Sequence, residues 1–283
     1  ELVPGDRSRT MQVLAAISAW SVLAFAFLLF IVQVVAREFG FWLGRRSAAT
    51  TSTHVEGVSV MVGGLLALLA FVLALTLSFA SARFDERRLG SLAEANAIGT
   101  AWLRADGLGN PRGDEIARLL KEYAGLRDRY IEVGHDREKV KEIDARTSTL
   151  QNEIWGNVTA VTRQRADAIA GQLAAAVNEV FDTTTAERFA YTYKFPPQII
   201  WLLFLLALLS MGGVGYQLGL RGKPLRLIAT LLTLTWTVVI VDILDLGTPR
   251  IGTFRTGTAV YEWTLSGMQA PIPQPALPAT APK

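Results

Sequence analysis

The chain has 283 residues and a mass of 30.8 kDa, of which 51% are hydrophobic and only 19% charged. Its mean hydropathy of +0.30 excludes an ordinary soluble domain and favours an integral membrane protein. The lack of cysteine excludes disulfides and thiolate chemistry, and two isolated histidines give metal or acid–base chemistry little to build on. The sequence pI of about 9.3 comes from arginines beside apolar stretches, which argues against nucleic-acid binding.

Three apolar stretches contain no charged residue, and each exceeds the roughly 20 residues that cross a bilayer. They cover residues 10–36, 57–82 and 195–220. A fourth stretch, 227–241, is shorter, but apolar residues extend it to Leu246 and Arg226 can snorkel at its start. The first stretch is too long for a secretory signal. The sequence therefore predicts an all-α protein with four transmembrane helices in the lipid bilayer.

The polar block between the second and third spans, residues 83–194, carries helical signals and almost no strand signal. Asn110 followed by Pro111 predicts a helix start. Apolar residues then recur at helical spacing, and a second stripe from Val140 to Val161 steps by threes and fours. We interpret the block as a soluble helical hairpin packed on itself and its neighbours, in preference to a separate coiled coil that binds a partner.

These patterns divide the chain into six segments. We expect residues 1–9 to be an N-terminal segment of added or processed origin. Residues 10–82 hold two spans, 83–194 form the helical block and 195–246 hold two spans. A juxtamembrane segment, 247–266, precedes a Pro-rich tail, 267–283, which we expect to be disordered. Nine Lys/Arg near the span ends on the side of the block and termini, against six on the other, predict a cytoplasmic block.

The second span carries two candidate functional stripes. Small residues follow one side, and large apolar residues recur at i, i+4 and i+8 on another. The large residues would form an apolar constriction that gates by dewetting if this helix lined the axis of an oligomer. Alternatively, they face lipid or a neighbouring helix. The small residues are Gly63, Gly64, Ala67, Ala70, Ala74, Ser78 and Ser81, and the large ones are Phe71, Leu75 and Phe79.

Polar residues near the predicted mouth of the bundle form a second candidate site. Glu94 and Asn96 lie among Ala, Ile and Gly in a stretch that looks packed, so Glu94 is expected to pair with a basic residue. Such a cluster would fix helix register or attract and gate ions, and the sequence leaves both open. Its predicted members are Arg83, Arg87, Arg88, Glu94 and Asn96, opposed by Asn178, Glu179, Asp182 and Arg188.

Two further features lie in the third and fourth spans. Asp242 and Asp245 share one face at the end of the fourth span. Either they lie at the membrane interface, or they face a conduction path, where their charges would favour cations. Gly215 and Gly219 form a Gly-x-x-x-Gly pattern that predicts helix–helix packing rather than a dinucleotide loop. We find no catalytic motif, so we expect no enzyme activity, no cofactor and no metal site.

Several motifs resemble a known family. The stretch 83–88 followed by 94–106 resembles the signature of the bestrophin-like domain family of bacterial membrane proteins, and 177–182 with Arg188 is similar to its later motif. Asp245-Leu246 with 249–252 resembles its end-of-span motif, although Gly247 and Thr248 depart from the usual charged pair. The resemblance covers about residues 55–255. It implies two spans, a helical cytosolic block and two more spans in a bacterial inner membrane.

The resemblance also suggests a function, because bestrophins proper are homopentameric chloride channels whose second span lines the pore. We therefore hypothesise a homo-oligomeric channel, with five subunits as the leading stoichiometry, that passes small inorganic ions, anions first. The alternative hypothesis is a non-conducting membrane scaffold or an accessory subunit that other membrane subunits complete.

Overall fold

The computed structural model describes residues 4–48, 55–133, 136–192, 196–248, 254 and 256–269. These residues contain helices and no strand, as the sequence predicts. The elements are α1 (Pro4–Ala48), α2 (Val55–Asp106), α3 (Pro111–Glu132), α4 (Arg137–Gln164), α5 (Ala168–Thr192), α6 (Pro197–Leu220), α7 (Arg226–Gly247) and α8 (Ala259–Gly267).

Four helical regions are long and apolar enough to cross a membrane, which agrees with the predicted number of spans. They are Ser21–Ala48, Val55–Asp106, Ala168–Leu220 and Arg226–Gly247. α2 continues without a break past the predicted border at residue 82, because no proline lies between Val55 and Asp106. α8 begins within the predicted juxtamembrane segment, 247–266, and ends one residue beyond it.

The chain forms two compact units. Unit 1 comprises Glu1–Arg87 and Phe189–Thr256, and unit 2 comprises Arg88–Arg188 and Gly257–Lys283. The long helix α2 contributes its apolar part to unit 1 and its polar part to unit 2. From 249 onward, only 254 and 256–269 are described, so the motif at 249–252 and most of the Pro-rich tail lie outside the described residues.

Unit 1 is held together by apolar packing and by close contact of α1 with α6. Its core includes Leu29 of α1, Leu73 of α2 and Leu203 of α6. A Cβ built on Gly215 would lie 2.0 Å from the Arg37 carbonyl oxygen. The predicted packing role of the Gly215 and Gly219 motif is thus confirmed.

The partner of that motif is a second Gly-x-x-x-Gly pattern on α1. A Cβ on Gly40 would lie 2.0 Å from the Gly212 carbonyl oxygen, and one on Gly44 would lie 2.2 Å from that of Tyr216. Only helices without side chains at these positions can approach so closely. The α1–α6 contact therefore depends on glycine on both helices.

Unit 2 is built from polar helices with buried stripes. Asn110 caps α3 by accepting hydrogen bonds from the backbone N–H groups of Arg112 and Gly113, and Pro111 occupies the first turn, as predicted. The α4 stripe is buried, which supports the hairpin interpretation. α8 packs against α3. The buried residues of α4 are Ile143, Thr147, Leu150, Ile154, Val158 and Val161.

Candidate functional site

Among the residues that the structure describes, none packs on one side of the α2 part of unit 1. Phe71 and Leu75 are 61% and 56% exposed. Added Cβ atoms on Gly63 and Gly64 would meet nothing within 4 Å. We call this surface the α2 open face; its members are Gly63, Gly64, Ala67, Ala70, Phe71, Ala74, Leu75 and Ser78, all exposed.

The opposite side of α2 is packed inside unit 1. Val62, Leu69, Leu73 and Ala80 are buried there, and the Thr76 hydroxyl donates to the Val72 carbonyl of its own helix. A membrane-length helix with one packed side and one open side has a surface that lipid, another copy of the chain or water must cover.

Phe79 does not share the open face with Phe71 and Leu75, contrary to our expectation. It is half-buried, and the Arg83 guanidinium lies 5.1 Å from the centre of its ring. Eight residues rotate the side chain by about 80° around an α-helix, so i and i+8 do not superpose. The constriction candidates on the open face are therefore Phe71 and Leu75.

The predicted juxtamembrane arginines have different surroundings. The Arg83 guanidinium pairs with Glu86 at 2.6 Å. Arg87 is buried and donates to the Leu246 carbonyl oxygen at 2.6 Å, whereas Arg88 is exposed. Arg87 thereby ties α2 to the end of α7 within unit 1.

Glu94 lies at the centre of a fully buried polar cluster in unit 2. The Arg127 guanidinium donates through Nε to Glu94 Oε1 at 2.7 Å and through Nη2 to Glu187 Oε2 at 2.6 Å. All three side chains have no solvent exposure. Glu94 thus has the basic partner that its packed surroundings required.

Hydroxyl groups complete this cluster. Tyr261 donates to Glu94 Oε2, and its oxygen also lies 3.1 and 3.2 Å from the Glu187 carboxylate oxygens. Thr184 donates to Glu94 Oε1 at 2.5 Å, and Ser91 donates to Glu187 Oε1. We call Ser91, Glu94, Tyr123, Arg127, Thr184, Glu187 and Tyr261 the buried ion cluster; it joins α2, α3, α5 and α8.

The residues expected to oppose Glu94 are elsewhere. Glu179 and the hydrogen-bonded pair Asn178 and Asp182 are exposed, and so is Asn96, the predicted neighbour of Glu94 on α2. Arg188 forms an ion pair with Asp144 at 3.2 Å. The reason is the helical period: on α5 the buried face steps from Val177 to Val180, Thr184 and Glu187, so residues 178, 179 and 182 point to other sides.

Sequence reasoning missed Arg127, Glu187 and Tyr261. The signal for Arg127 was present, because it lies four residues after Tyr123 and three before Tyr130, directly on the apolar stripe of α3. A charge on a buried stripe requires a buried partner. Tyr261 follows a polar stretch in a nine-residue helix and gave no periodic signal.

The electrostatics of the cluster follow from burial and from its two carboxylates. Burial raises the pKa of the Tyr123 hydroxyl to about 12, and the nearby Glu94 carboxylate adds to the shift. Burial also raises the pKa of Tyr261 well above its usual value, and the nearby Glu94 and Glu187 carboxylates add to that shift. Burial opposes the charge of Arg127, but Glu94 and Glu187 outweigh it and raise the pKa of the guanidinium.

The raised pKa of Tyr123 predicts that its hydroxyl stays protonated up to a higher pH than the hydroxyl of an exposed tyrosine. At pH 11 the native wild-type protein and Tyr123→Phe should have nearly the same tyrosinate absorbance, since a group of pKa about 12 is mostly protonated there. In denaturant they should differ by one of the six tyrosines. A full one-tyrosine difference in the native state would contradict the burial of this hydroxyl. Because the folded pKa is raised, its contribution to stability is complete below about pH 10 and is lost as pH rises through about 12.

The remaining candidate residues lie on α7. Asp245 is 5% exposed and Asp242 is half-buried. The buried ion cluster has two carboxylates for one guanidinium. Among the described residues, no group of three His, Cys, Asp or Glu side chains could hold a metal ion. The arrangement is suited to fixing helices and to holding charge.

Comparison with known structures supports the fold. A bacterial Bestrophin homologue from Klebsiella pneumoniae, crystallised as a point mutant, matches with a TM-score of 0.59 and 17% identity over 88% of this chain and 98% of that one. A second mutant of the same homologue matches with a TM-score of 0.61 and 16% identity over 88% and 99%. A crystal structure described as a membrane protein gives 0.60 and 14% over 87% and 98%.

Sequence comparison gives the family. None of the curated proteins matches the chain significantly. The family described as Bestrophin-like domain matches residues 25–261, which is most of the chain. The match includes most of the first span, the other three spans, α2 with its open face and every member of the buried ion cluster. The chain belongs to the Bestrophin-like domain family.

Proposed function

We propose that the chain is a subunit of a homo-oligomeric ion channel, and that the α2 open face lines the conduction path. The observation that carries this proposal is the two-sided character of α2. Its packed side belongs to unit 1, and its open side combines small residues with Phe71 and Leu75 at membrane depth. Copies arranged around an axis would cover that surface and leave a central path.

The chemistry of the open face suits a gated path. No charged residue lies on α2 between Glu56 and Arg83. Phe71 and Leu75 are one helical turn apart, about 6 Å along the axis, so rings of these side chains would make a short apolar constriction. The small residues above and below them would leave a wider lumen and let neighbouring helices approach.

We propose that the ions are anions and that the channel has five subunits. Both proposals rest on the likeness of the family to bestrophins, which are homopentameric chloride channels. The position of the acids on α7 is consistent with this selectivity. Asp245 is buried within unit 1, so its charge does not line an aqueous path. The helical block and both termini are proposed to be cytoplasmic, as the nine-to-six balance of Lys/Arg predicts.

The test begins with copy number. Native mass spectrometry from a mild detergent should give a single ring-sized homo-oligomer, and the same preparation in planar bilayers should conduct in asymmetric chloride. A monomer, a dimer or a stable complex with unrelated chains would contradict the proposal and favour the scaffold function.

A prediction about the constriction separates a pore from a lipid-facing surface. Phe71→Ala with Leu75→Ala should raise unitary conductance severalfold, because a wider and less apolar neck remains hydrated. Phe27→Ala is the matched control, since Phe27 on α1 is exposed to a similar degree at 67% and should not affect conductance. Equal conductance in the wild-type protein, the double variant and Phe27→Ala would mean that the open face does not line the conduction path.

The absence of native cysteine allows a second readout. Cysteines introduced singly at Phe71, Leu75 and Ser78 should react with charged thiol reagents added in water, and the reaction should block current. A cysteine at Phe27 should stay unreactive with the same reagents, because a lipid-facing thiol is neither hydrated nor ionised.

A further inference from the structure

The ends of four helices meet at one end of unit 1. The last turns of α1 run beside those of α6, where a Cβ on Gly219 would lie 2.9 Å from the backbone nitrogen of Arg45. Near the start of α2, Ser59 accepts hydrogen bonds from Gln217 and Arg221 of α6, each at 2.9 Å. α7 begins at Arg226, six residues after α6 ends.

This end of unit 1 is strongly basic. Five cationic side chains are exposed there, and among the described residues none of them forms a salt bridge. Two acids lie near these cations: Glu38, which is engaged by Arg37 at 3.0 Å, and the exposed Glu56 in the first turn of α2. We call this surface the basic end; its cations are Arg45, Arg46, Arg221, Lys223 and Arg226.

At the opposite end of unit 1, the described arginines of α2 are used within the protein. There, Arg83 pairs with Glu86 at 2.6 Å, and the buried Arg87 donates to a backbone carbonyl of α7. Asp242 and Asp245 add negative charge at that end. Among the side chains that the structure describes, the exposed cations of unit 1 that form no salt bridge therefore lie at the basic end.

Exposed apolar side chains border the basic end. Trp42 is 52% exposed, and the Arg46 guanidinium lies 5.2 Å from the centre of its ring. Leu227 and Ile228, which directly follow Arg226, are 75% and 66% exposed. Tryptophan beside arginine is typical of the headgroup level of a bilayer, and exposed leucine and isoleucine next to an arginine are suited to contact acyl chains.

We propose that the basic end is a binding surface for anionic phospholipids, with the five cations holding the phosphate and the bordering apolar residues contacting the acyl chains. A soluble anion would satisfy the charges but would leave those apolar side chains unused, so a lipid fits the surface better. This inference does not depend on ion conduction.

The test uses the purified full-length protein and native mass spectrometry. Phosphatidylglycerol and phosphatidylcholine with identical acyl chains are titrated into the detergent solution, and bound lipids are counted. Wild-type protein should retain phosphatidylglycerol at least tenfold more tightly. Arg45→Gln, Arg46→Gln and Lys223→Gln combined should weaken that binding about 100-fold, because each cation near an anionic surface contributes about fivefold.

The matched control removes three exposed cations of unit 2, with Lys121→Gln, Lys139→Gln and Lys141→Gln combined, and should leave lipid retention unchanged. Circular dichroism of both variants checks that they fold. Equal binding of the two lipids by wild-type protein would overturn the proposal. So would equal losses in the two triple variants, because attraction by net charge alone would then explain the binding.

Discussion

Arg127→Met is expected to unfold unit 2 far more easily than any surface charge change, at a cost of about 3–5 kcal/mol. The substitution leaves the Glu94 and Glu187 carboxyl groups buried without the guanidinium that donates to both of them, at positions with no solvent exposure. Methionine fills a similar volume, so the loss reports charge rather than a cavity. Melting of the helical circular dichroism signal in mild detergent should fall on the order of 10 °C.

Two controls identify the cause. Arg118→Met removes an exposed arginine from the same helix and should leave the melting temperature unchanged. Adding Glu94→Gln and Glu187→Gln to Arg127→Met removes the uncompensated charges and should recover more than half of the loss. If Arg127→Met and Arg118→Met have the same melting temperature, the cluster does not stabilise unit 2.

The second large effect is expected at the α1–α6 contact. Gly215→Ala should destabilise unit 1 by about 3 kcal/mol or more, because the new methyl group would lie 2.0 Å from the Arg37 carbonyl oxygen. Neither atom is the end of a flexible side chain, so the two helices must separate. The measurement is again thermal unfolding, together with the yield of folded protein after detergent extraction.

The matched control is the same substitution at an open helical glycine. Gly171 lies in α5, and a Cβ there would meet nothing within 4 Å. Gly171→Ala should be neutral or stabilising by up to about 1 kcal/mol, since alanine favours the helix. An equal response of Gly215 and Gly171 to alanine would mean that the close contact of α1 with α6 is not required.

The amino-acid sequence by itself determined the number of spans and the helical character of the polar block. A helix that crosses lipid must be long and largely uncharged, so hydropathy located the spans without any knowledge of contacts. The start of α3 was equally local, because Asn110 and Pro111 act on the first turn that follows them. The buried stripe of α4 followed from its own period.

Only the tertiary structure decided which residues meet. Glu94 binds Arg127 and Tyr261, which are 33 and 167 positions away, and no local period relates such positions. Likewise, Gly215 indicated a close helix contact, but the matching glycines on α1 became visible only when the two helices were placed side by side. Periodicity fixes the face on which a side chain lies, whereas its partner depends on how whole helices pack, because packing satisfies many contacts at once.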